Sequence, residues 1–140
     1  MCEYAKNCNN KILLVFYLMR LRQLSYLTGY QIPLNVCDYG LKIFHWGMII
    51  IHEKTKIGKN ATFQPDIVIG KKEVDGGCPV IGDNFYICAG ARVYGDIKIG
   101  NNVRIGPNSC VYKDVPNNCI VVGNPAYIIK LDGQKCNIKL

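Results

Sequence analysis

The sequence predicts a mainly β chain, a parallel β-helix of short strands preceded by an N-terminal α-helix. Isoleucine and valine together supply 29 of the 140 residues, and such β-branched side chains favour strands. Fourteen glycines lie among them and supply turns. From Ile57 to Val111 a large apolar residue recurs at every sixth position but one. Neither a helix, with a period of about 3.6, nor a plain strand, with a period of about 2, gives that spacing.

The length allows one domain. An apolar share of 49% with only 19% charged residues excludes a disordered chain. The net charge is +7, but the lysines and arginines are scattered, with no basic run or aromatic platform, so nucleic acid is not an expected partner. Eight cysteines stand at positions 2, 8, 37, 78, 88, 110, 119 and 136. No pair is spaced C-x-x-C, which excludes a zinc knuckle and a thioredoxin-like redox pair. Reduced thiols filling small apolar positions are the expectation for nearly all of them.

Residues 1–30 read as a helical segment. The run Ile12–Met19, continued through Leu21, Leu24 and Leu27, gives one helix over 9–29 with a broad apolar face, stopped at Gly29. Arg20 and Arg22 follow the run where a signal peptide needs small residues, so it is not read as one. Its length also falls well short of the roughly 20 residues that span a bilayer. The helix is expected to pack against the end of the β-domain, with membrane contact as the alternative, in a cytoplasmic protein.

Residues 31–126 carry the coil. The register reads Ile57, Phe63 and Ile69, then after a step of twelve Ile81, Ile87, Val93, Ile99, Ile105 and Val111. Glycine often follows, at 58, 70, 82, 100 and 106, with Asn or Asp next, as in Asp83-Asn84 and Asn101-Asn102. Small or β-branched residues recur four positions on: Ala61, Ile67, Ala91, Ile97, Val103, Ser109 and Val115. A coil with three short faces, ~18 residues per turn, points both residue sets inward. Gly, Asn and Asp then serve corners where a positive φ is cheap for them, in about four coils. The step from Ile69 to Ile81 holds the polar, glycine-rich stretch Lys71 to Cys78. It is read as a loop, 70–79, extruded from one corner, because position 75 offers no apolar residue for a further hexapeptide. Loops on rigid scaffolds tend to carry function. Pro116, Gly123 and Pro125 mark the exit to a C-terminal tail, 127–140, expected to cap the open end.

The segments Gly40-Leu41-Lys42-Ile43-Phe44-His45-Trp46-Gly47, Pro79-Val80-Ile81-Gly82-Asp83-Asn84 and Val121-Val122-Gly123-Asn124-Pro125-Ala126 sit within these hexads. With them the chain resembles the left-handed parallel β-helix (hexapeptide-repeat) acyltransferases, from about Ile32 to Ile129. Within that family it looks most like serine acetyltransferases and their short relatives in surface-polysaccharide gene sets. The resemblance implies the left hand, contrary to the usual right-handed crossover. It also implies acetyl-CoA as acyl donor, a homotrimer with each active site between two protomers, and O-acetylation of a small hydroxyl-bearing acceptor. N-acetylation of an amino sugar and a catalytically silent scaffold are the alternatives, since fold does not fix function.

By the same resemblance His45 matches the family's catalytic histidine. A hydroxyl is a poor nucleophile near neutral pH, and an imidazole can take its proton during attack on a thioester. The competing expectation is a buried structural histidine, because position 45 is inward if the sixes run unbroken upstream of Ile57. His52, just after the inward Ile51, reads as a solvent-facing residue. Two histidines are too few for a three-imidazole zinc site, and no metal is expected. Where the family carries an acid to orient the histidine, this chain has Gln31. Asp38 is a candidate substitute, and equally a coil-corner residue. Where serine acetyltransferases have an acid before the histidine and an arginine-histidine pair before a proline, this chain has Phe44, Gly77 and Cys78. Gln31, Phe44 and Cys78 are therefore the substrate-side candidates. Without a guanidinium for an amino-acid carboxylate, a sugar hydroxyl stands beside serine as acceptor. Cys78 could form an acyl-enzyme, but no base is evident for it, so an inert thiol is expected. Gly70, Ala89, Arg104 and Pro107 fall on the family's CoA contact positions. Arg104 replaces a lysine near the CoA phosphates or is a solvated face residue, and Lys71, Lys113 and Lys130 are weaker candidates for the same anionic groups.

Overall fold

The computed structural model describes residues 2–140, with side chains from Glu3 onward. From Tyr30 the chain visits three sheets in fixed rotation. The first holds Tyr30–Gln31, Ile49–Ile51, Ile67–Gly70, Arg92–Tyr94 and Cys110–Val111, all parallel. The second holds Lys56–Ile57, Val80–Ile81 and Lys98–Ile99, extended by single parallel bridges from Cys37 to Ile57 and from Ile99 to Val115. The third holds Lys42–Ile43, Thr62–Phe63, Tyr86–Ile87, Arg104–Ile105 and Cys119–Val122, parallel throughout. Each face thus has five rungs where about four are expected, because the first circuit, upstream of Ile51, breaks the period of six.

The hexad residues form the core. All nine register positions, from Ile57 to Val111, are buried, and so are the seven small or β-branched positions between them. Each such aliphatic or aromatic side chain contributes about 1.5–3 kcal/mol relative to exposure. Partners in the unbroken part lie one turn apart, as in Ile81 with Ile99 and Ile87 with Ile105. Residues 71–79 stand outside this winding as a loop between Gly70 and Val80.

The glycines after the apolar residues do a different job from the one expected. At the corners it is the third residue that takes positive φ, as at Asn60 (57°), Asn84 (56°), Asn102 (57°) and Asn118 (56°). Gly58, Gly82 and Gly100 have ordinary φ but no room: a Cβ on each would lie 2.3 Å from Oδ1 of Asp83, Asn101 or Asn117 in the next coil. Those oxygens accept from the backbone N–H of Lys59, Asp83 and Asn101 at 2.8, 2.7 and 2.7 Å. Glycine here lets one coil settle onto the next.

The ends depart from the sequence reading. Helix α1 spans Cys2–Asn7 and helix α2 spans Lys11–Thr28, so two helices replace the single one over 9–29. Asn10 caps α2, its Oδ1 accepting from Leu13 N–H at 3.1 Å, and Gly29 closes it at φ 78°. Helix α2 packs against α1 and the strand Tyr30–Gln31 but buries none of its residues, correcting the expected burial of its apolar face. Its apolar side chains run all round the helix, so no one side can cover them; Ile12 stays 88% and Leu27 81% exposed. Among the described residues no helix is long and apolar enough to cross a membrane. The C-terminal stretch is not a loose tail: Tyr127–Leu131 and Gln134–Lys139 add two antiparallel strands beside Cys119–Val122. Asp132 (φ 47°) and Gly133 (φ 83°) make the two-residue turn between them, the pairing such tight hairpins favour.

Candidate active site

His45 lies at the corner between the third-sheet strand Lys42–Ile43 and the first-sheet strand Ile49–Ile51. Ile43 pairs with Phe63 and packs on the core, and the next residue of the main hexad register, Ile51, pairs with Ile69. That step is two residues longer than a hexad. The extra length pushes the corner outward and leaves Phe44 (58%), His45 and Trp46 (85%) exposed. The reading of His45 as a sealed structural residue is thereby corrected. Two contacts hold the middle of the widened corner. Tyr30 Oη donates to the His45 carbonyl at 3.0 Å, and Gly47, at φ 143°, sits so close that a Cβ would fall 2.7 Å from Cβ of Pro65. Both fix backbone; among the described residues no hydrogen bond or ion pair engages the imidazole.

Later corners on this edge stack below His45, and Ala89 and Pro107 occupy them. Gln64, on the corner between, reaches the nearer of them: its Nε2 donates to Tyr86 Oη at 2.7 Å and its Oε1 accepts from Ala89 N–H at 3.2 Å. Asn108 N–H continues the column to the Ala89 carbonyl at 3.0 Å. Arg104, two residues before Gly106 in the third sheet, lies over the Tyr86 ring at 4.3 Å and borders an open groove of about 550 Å³ with Lys42, Thr62 and Asn84. Beside it, burial pushes the Cys88 thiol up, against the pull of the Arg104 charge. Gln64 escaped the sequence reading, where it was one more polar residue after an apolar one.

Gly70 stands apart from these residues, at the far end of the first sheet from His45. Gln31 is exposed and pairs with Ile50. Asp38 follows the second-sheet position Cys37, so the strand Lys42–Ile43 lies between it and His45. Its Oδ1 accepts from Tyr39 N–H at 2.8 Å and does not orient the imidazole in this chain. Asp38 is here a corner residue. Among the described residues no group of three His, Cys, Asp or Glu is arranged to hold a metal ion.

The family model of the bacterial transferase hexapeptide (six repeats) matches residues 78–113. The chain is 45% identical over 113 residues to a serine acetyltransferase of Staphylococcus aureus, covering 79% of this chain and 53% of that protein. It is a hexapeptide-repeat protein. A serine acetyltransferase of Staphylococcus xylosus is 40% identical over 79% of this chain and 52% of its own length. Among solved structures, the Neisseria gonorrhoeae serine acetyltransferase superposes with a TM-score of 0.74 at 29% identity, covering 96% of this chain and 52% of that one. A serine acetyltransferase complex with CoA superposes with a TM-score of 0.72 at 26% identity, covering 91% and 52%. The chain spans about half the length of the curated relatives it matches.

One pairing in this hexapeptide-repeat chain overturns two expectations. Cys78 is buried at the root of the loop, with Sγ 3.2 Å from Nδ1 of His52. The thiol therefore has a base beside it, and His52 is no ordinary surface residue. Gly70 belongs to the same corner, since a Cβ there would sit 3.4 Å from Cβ of His52. No spacing in the sequence signals this pair, because the loop between Gly70 and Val80 obeys no period.

Proposed function

We propose that this chain is an acetyl-CoA-dependent O-acetyltransferase in which His45 is the general base and the acceptor is a hydroxyl of serine or of a sugar. The observation that carries the proposal is the imidazole of His45, exposed at a widened corner above Ala89 and Pro107. The imidazole takes the acceptor's proton as its oxygen attacks the thioester carbonyl. The tetrahedral intermediate then expels CoA thiolate, which recovers the proton from the imidazolium. One imidazole serves both steps, and such proton transfer contributes about 10²–10⁴ in rate. Ala89 and Pro107 line the path of the pantetheine arm, and Arg104 meets the CoA phosphates.

The three sheets wind as a left-handed parallel β-helix, and three chains assemble so that His45 of one protomer faces CoA held against its neighbour. A groove between protomers takes one wall from each, which accommodates the distance between Gly70 and His45. The names of the relatives support serine as acceptor. Phe44 and Trp46 favour a sugar, because exposed aromatic rings beside the base offer an apolar platform for a sugar ring and no charge for an amino-acid carboxylate. The free thiols, Cys8 to Cys136, suit a reducing cytoplasm.

The test is release of CoA thiol from acetyl-CoA with serine, with a panel of neutral sugars and with amino sugars. Release with serine or a neutral sugar that falls by about 10²–10⁴ in His45→Ala is expected. No release with any acceptor identifies a silent scaffold instead.

A further inference from the structure

We infer that Cys78 is a second acyl-accepting nucleophile, a thiol that takes an acetyl group from a thioester with His52 as its base. The inference rests on the proposed use of acetyl-CoA for the donor, but not on His45. It starts from geometry. Nδ1 of His52 receives the backbone N–H of Lys54 at 3.1 Å, so this nitrogen carries a lone pair and the ring proton sits on Nε2. Cys78 Sγ lies 3.2 Å from the same Nδ1, and of the two groups only the thiol has a proton to give. A cysteine paired with an imidazole in this way is the arrangement that generates a nucleophilic sulfur.

Cys78 is 7% exposed and closes a loop in which Gly76 packs against Glu73 and Gly77 against Asp96. Lys54 lies two residues after His52, and Lys71 and Lys72, held on the Val74 carbonyl and over the Tyr112 ring, open the loop that ends at Cys78; positive charge there suits an anionic carrier. The strand Ile49–Ile51 separates His52 from His45, so the two imidazoles serve opposite ends of the first sheet.

The step balances without an oxidant or metal. His52 Nδ1 releases the Lys54 N–H and takes the thiol proton while sulfur attacks the acetyl carbonyl. The resulting tetrahedral intermediate breaks the bond from the acyl carbon to the CoA sulfur. The departing thiolate recovers the proton from His52. Acetyl passes from one sulfur to another, leaving S-acetyl-Cys78, free CoA and neutral His52.

The experiment incubates the full chain with labelled acetyl-CoA and no acceptor, then maps the label by peptide mass spectrometry. The expected result is label on Cys78, discharged by hydroxylamine and absent from the exposed Cys8, in the wild type and equally in His45→Ala. His52→Gln should slow the labelling on the order of a hundredfold, the loss of one general base. If circular dichroism shows that variant unfolded, His52→Asn, which keeps a polar atom near the Nδ1 position, takes its place with the same expectation. An unlabelled Cys78 in protein that does acetylate an acceptor overturns the inference and leaves the His45 reading standing. Label on Cys78 with no transfer to any acceptor does the reverse. Neither label nor transfer ends both, and labelling that survives loss of His52 at full rate removes the base and with it the inference.

Discussion

Asn84 donates from Nδ2 to Oδ1 of Asn102 at 2.9 Å, one rung of a ladder that climbs the edge between the second and third sheets. Asn60 donates to Asn84 at 3.3 Å, Asn102 to Asn118 at 2.8 Å and Asn118 to Asp132 at 2.8 Å. Every member holds positive φ. Asparagine is suited to both tasks, since it tolerates the left-handed region and its amide both donates and accepts. Asn102→Ala should therefore cost about 2 kcal/mol, from left-handed strain of about 1–2 kcal/mol plus the broken rungs. Asn102→Gly relieves the strain and should cost roughly half as much. Urea midpoints of the two variants separate the terms, and equal losses would remove the backbone part of the account.

Gly82 and Gly133 should respond to alanine for opposite reasons. At Gly82 φ is ordinary, but the new Cβ would meet Asn101 Oδ1 at 2.3 Å and the Gly100 carbonyl carbon at 2.9 Å. Overpacking of that kind costs about 1–3 kcal/mol and forces coils apart. At Gly133 nothing lies within 4 Å, yet φ is 83°. Only the left-handed strain remains there, about 1 kcal/mol. Thermal unfolding of Gly82→Ala and Gly133→Ala checks the order, and a larger loss at Gly133 would contradict the stacking role given to the corner glycines.

The inward residues were readable because each hexad repeats one environment, so the period alone names Ile57 through Val111. What the period could not carry is contact between coils. Gly58, Gly82 and Gly100 look like turn formers in isolation, and only Asp83, Asn101 and Asn117 one coil away reveal why a side chain is forbidden. The widened corner at His45 was hidden for a related reason: counting back in sixes from Ile57 steps over its two extra residues. Cys78 and His52 meet through a loop of no fixed period. The Asp132-Gly133 turn was legible as a hairpin signal, though the tail reading passed over it.

Cys37 should make stability fall with alkaline pH. Burial first, and then the Glu3 carboxylate, push its thiol up from 9.0 to about 12. Above the unfolded value the unfolded chain loses this proton while the folded chain keeps it. The unfolded state then binds fewer protons, so stability declines as pH rises. The contribution is intact below pH 9.0 and is lost progressively toward about pH 12. The slope approaches about 1.4 kcal/mol per pH unit. Urea midpoints of the wild type and Cys37→Ala across that window are the measurement. The wild type should fall more steeply, and parallel curves would rule the thiol out as the source.

Tyr30→Phe should lower turnover while leaving the fold and acceptor KM nearly unchanged. Tyr30 is held at the end of α2, its N–H donating to Thr28 Oγ1 at 3.3 Å and its carbonyl accepting from Ser25 Oγ. From there its hydroxyl reaches the His45 carbonyl at 3.0 Å. The corner it grips is longer than a hexad, and it is otherwise fixed by Gly47 against Pro65, a long bond, 3.4 Å, from Phe44 N–H to the Phe63 carbonyl, and, at its far end, Ile67 N–H to the Met48 carbonyl at 3.2 Å. Losing the hydroxyl removes about 1 kcal/mol of positioning, which corresponds to roughly fivefold in kcat. The pH at which the rate falls off on the acid side should not move, because His45 keeps its solvent exposure and only its backbone is loosened. Steady-state kinetics across pH with the best acceptor test this. An unchanged kcat would mean that the corner holds His45 in place without help from α2, and a displaced acid limb would mean that Tyr30 acts on the imidazole itself.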